Sequence, residues 1–138
     1  MKIEAYLSFN GSAEEAIEFY KSALGAKVNM LMRFNQSPEQ PAGGFPPEML
    51  NRVMHADLSI GQSKIFVTDG CAQSDKTFSG ITLSLQVSTD AEAEKRFLAL
   101  AERGQITMPL NQTFFATAFG MVTDRFGVKW MVINQKPM

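Results

Sequence analysis

Among 138 residues there is one cysteine, one histidine and one tryptophan. A lone thiol, Cys71, excludes an internal disulfide and fits a reducing cytoplasm, which is the location expected. It sits in the polar linker GCAQSDKTFSG with no foreseeable base beside it, so it reads as an ordinary thiol rather than a nucleophile. One histidine, His55, is too few for an imidazole-rich metal centre. No G-x-S-x-G elbow accompanies it to suggest a serine hydrolase. Lys and Arg total 13 against 14 Asp and Glu, with no basic cluster, so nucleic acid is not an expected partner. No apolar run is long enough to span a bilayer, and the opening MKIEAYLSFNG carries Glu4 inside its apolar stretch. Neither a membrane partner nor a signal peptide is therefore expected.

Proline is scarce outside one stretch. NQSPEQPAGGFPPEML, residues 35–50, takes four of the six prolines and two adjacent glycines. This composition predicts a mobile loop that lids a site with Phe45, Met49 and Leu50. Methionine, by contrast, is plentiful at nine residues, either filling core gaps or lining an adaptable apolar pocket.

What is present is a pattern used twice. GSAEEAIEFYKSALG predicts a helix near residues 12–24. Ser12 and Glu15 are spaced as a capping box, and Ala13, Ala16, Ile17, Tyr20 and Leu24 lie along one face, with Gly25 as the stop. STDAEAEKRFLALAERG predicts a second helix near 90–103. Thr89 and Glu92 form its box, and Ala93, Phe97, Leu100 and Ala101 its apolar face. Alternating segments flank each helix, and VMHADLSI and SKIFVTD pair around Gly61-Gln62 as a hairpin. The order strand-helix-strand-strand-strand occurs twice, in modules of about residues 1–70 and 79–138 of one domain. TDRFG near the end is a turn, with Asp124 accepting from backbone N–H groups and Gly127 supplying positive φ. Asp69 ends the corresponding strand of the first module and reads as the same device.

This repeat, with NGSAEEAIEFY, MHADLSI, MPLNQTFF and FGMVTDRFGVKWMVIN, resembles the PhnB-like branch of the vicinal oxygen chelate superfamily of glyoxalases, bleomycin-resistance proteins and dioxygenases. The resemblance implies an α+β fold of two βαβββ modules forming a curved mixed sheet with a cleft, commonly as a homodimer. Members often carry a demethylubiquinone methyltransferase label. The sequence does not support that activity, because Gly43-Gly44 lies between prolines with no helix following.

Superfamily enzymes hold a divalent metal with His and Glu from four strands. The motifs place those positions on Ala5, Phe66, Thr82 and Met131, none of them a suitable ligand, so no metal and no other cofactor are expected. A site built on His55 would need carboxylates such as Asp57 or Asp69. Strand alternation puts Met54, Ala56, Leu58 and Ile60 on one face and His55, Asp57 and Ser59 on the other. The expected cleft is lined by Phe9, His55, Asp57, Phe66, Thr82, Ser84, Gln86 and Met131, with Phe114 and Phe115 at its mouth. Apolar walls with few polar groups suit a small molecule. The function expected is metal-independent binding of an unspecified small molecule. A lyase, isomerase or dioxygenase with a non-standard metal site is the alternative, and a vestigial cleft the third, so catalysis is left open.

Overall fold

The computed structural model describes residues 1–70 and 78–137. Cys71 lies outside the described residues. The chain divides into two compact units, Met1–Lys76 and Thr77–Met138.

The first unit contains β1 (Ala5–Ser8), α1 (Ala13–Leu24), β2 (Lys27–Arg33), β3 (Val53–Ile60) and β4 (Ser63–Thr68). Its sheet runs β1-β4-β3-β2, with β1 parallel to β4 and the other pairs antiparallel. The second contains β5 (Leu83–Gln86), α2 (Asp90–Ala101), β6 (Gln105–Asn111), β7 (Ala116–Thr123) and β8 (Lys129–Gln135), ordered β5-β8-β7-β6 with β5 parallel to β8. Each is a βαβββ module, as the repeat predicted. The helix carries the chain from one edge strand of its sheet to the other, from β1 to β2 and from β5 to β6.

Each helix buries one stripe: Ala13, Ala16, Ile17, Tyr20, Ala23 and Leu24 of α1, and Ala93, Phe97 and Leu100 of α2. The sheet residues turned to the same side are apolar and buried, among them Leu7, Ala56, Leu58, Ile65 and Val67 in the first unit and Val122, Trp130 and Val132 in the second. Removing these side chains from water is the main favourable term. Gly120 on β7 admits α2 closely, since a Cβ there would stand 2.7 Å from the Phe97 ring.

The two caps differ. At α2 the Thr89 hydroxyl accepts from the Glu92 N–H at 3.1 Å, as expected. At α1 the Ser12 side chain makes no cap bond. Its hydroxyl donates to the Phe9 carbonyl at 3.0 Å, and the cap is supplied by Asp69, whose carboxylate accepts from the Ala13 N–H at 2.9 Å. The Ser12 capping box expected from spacing is therefore not formed, because Ser12 sits at φ −108°, ψ 13°, where its hydroxyl turns back.

Residues 35–50 carry little regular structure. Short 3-10 turns span Phe34–Gln36 and Pro47–Met49, and the ends are tied by Asn35 N–H to Leu50 O at 3.0 Å. Phe45 rests edge-on against buried Phe34, with ring centroids 5.0 Å apart, so it is held by its own loop's base.

A second tie lies at the start of α2. The Asp90 carboxylate accepts from the Thr117 hydroxyl at 2.6 Å and the Asn134 amide at 2.9 Å. These bonds, Thr117 first, hold its pKa below the ordinary value of 3.8. A depressed carboxylate adds stability that is present above its unfolded pKa and is lost as pH falls through the folded one. The wild type is thus expected to lose urea resistance below about pH 4 more steeply than Asp90→Asn. Urea midpoints from pH 7 to pH 2.5 would show it, and parallel curves would contradict it.

Candidate functional site

In each unit the helix covers one face of the sheet, and the opposite face carries most of the residues singled out for binding. On the first unit, β1 and β4 set Tyr6 beside Phe66, and β3 and β4 set Asp57 beside Phe66. His55 stands two residues from Asp57 on the same side. Its ring stacks on Phe66 at 5.4 Å with 27° between planes, and Tyr6 meets it edge-on at 6.0 Å. Next to these rings is a polar cluster. Asn29 of β2 donates to Asp57 at 3.2 Å and to the Ser59 hydroxyl at 2.7 Å. Lys64 approaches the other Asp57 oxygen at 3.5 Å. A bulge between Val28 and Met30 brings Asn29 to this side.

His55, Asp57 and Phe66 are therefore brought together. Phe9 is not among them: it is 3% exposed and packs near Tyr20 of α1, ring centroids 6.5 Å apart. Alternation explains this correction, since Phe9 shares parity with Leu7, which is buried on the helix side. The same parity corrects Ala5. It pairs with Ile65, a helix-side residue, so the β1 side chain that joins Phe66 is Tyr6. The signal was available, because Leu7 and Phe9 are the apolar members of the alternation and Tyr6 falls between Ala5 and Leu7.

On the second unit Ser84 pairs with Met131, Met131 with Met121, and Met121 with Met108, giving a row across four strands. The next row is Gln86, Ile133, Phe119 and Asn111. Thr82 precedes β5 and is exposed. Phe114 and Phe115 occupy the β6–β7 connection. Phe115 meets Phe119 edge-on at 5.2 Å, whereas Phe114 is 91% exposed. Met108, Met121 and Phe119 were missed from sequence, where their runs read equally well as core.

Two buried carboxylates are accounted for structurally. Asp124 accepts from Phe126 and Val128 N–H at 2.9 and 3.0 Å and from the Trp130 indole at 2.9 Å, with Gly127 at φ 87°. Asp69 binds donors distant in the chain. It accepts from Gly11, Ala13 and Val53 N–H groups at 2.7, 2.9 and 3.1 Å. Asp69 is thus committed to backbone donors and is no partner for His55.

The positions at which a metal would be expected do not fit one. Taken singly, Tyr6, Phe66, Thr82 and Met131 offer a phenol, a hydrocarbon, an alcohol and a thioether, each a poor ligand for a hard or borderline divalent cation. Among the described residues no three His, Cys, Asp or Glu side chains gather, and no helix is long and apolar enough to cross a membrane.

Comparison with known proteins agrees with this architecture. The family model described as 3-demethylubiquinone-9 3-methyltransferase matches residues 1–133. Protein YjdN of Escherichia coli (strain K12) is 35% identical over 147 aligned positions, covering 99% of each chain. The crystal structure of PA1353 from Pseudomonas aeruginosa has a TM-score of 0.85 at 39% identity, covering 99% of each chain. A PhnB protein from Bacillus cereus has a TM-score of 0.78 at 27% identity, covering 97% of this chain and 99% of that one. The fold is shared with a glyoxalase/bleomycin resistance/dioxygenase domain from Frankia sp. EAN1pec, with a TM-score of 0.67 at 15% identity. Doubled βαβββ units, the strand order and the family and relative matches lead to one conclusion: the chain belongs to the family described as 3-demethylubiquinone-9 3-methyltransferase, with a PhnB protein among its structural relatives.

Proposed function

We propose that this protein binds a small amphipathic molecule without a metal. The observation that carries the reading is the face of the first unit, where three rings, Tyr6, His55 and Phe66, stand beside the polar cluster of Asn29, Asp57, Ser59 and Lys64. A few fixed polar groups next to an apolar wall are what orient a small ligand. The family description names a methyltransferase, and a fold label does not carry chemistry with it. Enzymes using S-adenosylmethionine in the usual way hold it at a Gly-rich turn between a strand and a helix of a parallel sheet. Gly43-Gly44 instead lies in the 35–50 loop, with nothing within 4 Å of where its side chains would be.

Two measurements test the reading. Elemental analysis after purification with and without added Mn, Fe, Ni and Zn should give well under one metal per chain. A stoichiometric metal lost in His55→Ala would establish the metal-enzyme alternative. Native mass spectrometry of protein taken directly from cells should show a bound organic mass released on denaturation. Its absence across growth conditions would count against a binding role.

We further propose that the chain works as a homodimer in the cytoplasm. Within the second unit's sheet, β6 is an edge strand carrying Ile106 and Met108, 44% and 45% exposed. Exposed apolar edges invite pairing, and two-fold symmetry is the commonest way to cover them. Light scattering should give twice the 15.3 kDa of one chain. A single-chain mass unchanged with concentration would exclude the dimer.

A further inference from the structure

We infer that the first unit's open face selects a flat aromatic ligand bearing an acceptor oxygen, a carbonyl, phenolate or carboxylate. This rests on the binding reading above and narrows it to a chemical class.

The inference starts from what the polar groups on this face already hold. Both Asp57 oxygens are engaged, one by Asn29 and one by Lys64, and the Ser59 hydroxyl accepts from Asn29. The Tyr6 hydroxyl and the His55 ring nitrogens, in contrast, make no hydrogen bond to any described residue. Both rings lie on the open side, Tyr6 being 55% exposed and His55 half-buried. A tyrosine or histidine that presents an apolar body together with an unpartnered polar tip is suited to one ligand group that stacks and one that accepts a proton bond.

Ring geometry gives the shape. His55 and Phe66 are stacked on each other with 27° between their planes, a stack that a further flat ring can extend, and Tyr6 meets His55 edge-on at 63°. A planar ligand can lie on the stacked pair while its oxygen meets the Tyr6 hydroxyl. Met32, which pairs with His55, and Met30, which pairs with Asp57, add polarizable thioethers along the same surface. Lys64 pairs with Asp57 at 3.5 Å, and its ammonium keeps further N–H donors for an acceptor oxygen beside the rings. A saturated ligand of equal size would gain the burial but not the stacking.

The test uses two probes with one carbon skeleton, 2-naphthoate and its fully saturated decahydro analogue, titrated into the intact protein and followed by backbone amide NMR. The naphthoate should bind about two- to tenfold more tightly, which is the range an aromatic pair contributes. Shifts should centre on β1, β3 and β4. Phe66→Leu, which removes the ring but keeps an apolar side chain, should remove that preference while leaving the saturated probe's affinity nearly unchanged. Tyr6→Phe should weaken both probes about three- to tenfold, as loss of one hydrogen bond does. Thermal midpoints check that both variants fold. Equal binding of the two probes would overturn the aromatic class and leave the binding reading intact. Naphthoate shifts confined to the second unit would overturn the site. Failure of both probes up to millimolar concentration would overturn the ligand class, and the native mass measurement would then decide the binding reading separately.

Discussion

Replacing Asp69 by Ala should lower stability by about 3–5 kcal/mol, a large share of what a domain this size possesses. One carboxylate, 3% exposed, accepts three backbone N–H groups, from Gly11 and Ala13 at the entry to α1 and from Val53 at the start of β3. Truncation strands these donors, two of them in buried surroundings, and a charge-assisted bond contributes about twice a neutral one. Asp69→Asn should fall between, since one amide oxygen still accepts. Ser12→Ala should cost no more than about 1 kcal/mol, because Ser12 does not cap the helix. Urea unfolding followed by far-UV circular dichroism separates the outcomes. Equal losses in Asp69→Ala and Ser12→Ala would show that the long-range cap is not what holds α1 in place.

Gly104→Ala should cost about 3 kcal/mol even though alanine is the better helix and strand former. Gly104 joins α2 to β6, and a Cβ there would overlap the Thr123 carbonyl oxygen and lie 3.0 Å from the Asp124 Cα. Backbone stands against backbone, so no rotamer change relieves the clash. The segment cannot retreat easily, because Asp124 is fastened to Phe126, Val128 and Trp130. Gly43→Ala makes the comparison. Its φ of 83° is strained for alanine, but nothing lies within 4 Å, so about 1 kcal/mol is expected. Thermal unfolding of both should show Gly104→Ala far lower. If the two variants melt together, close packing at the α2–β6 joint is not the reason for glycine there.

The sequence by itself determined the doubled βαβββ order, both helices and the Asp124 turn. These are local: a period of 3.6 or 2, a Thr89 cap three residues from its N–H, a carboxylate two and four residues from its donors. Alternation along β3 also put His55 and Asp57 on one face, and the family resemblance added Phe66 to them. Only the tertiary structure decided what depends on contacts distant in the chain. Asp69 displaced Ser12 as the α1 cap from 56 residues away. The methionine row on the second unit arose likewise, from β6, β7 and β8 meeting with two register shifts between β6 and β7 that no local pattern announces. A one-residue shift reverses every side chain on a strand, so the open faces were the part of this protein that pairing between strands had to settle.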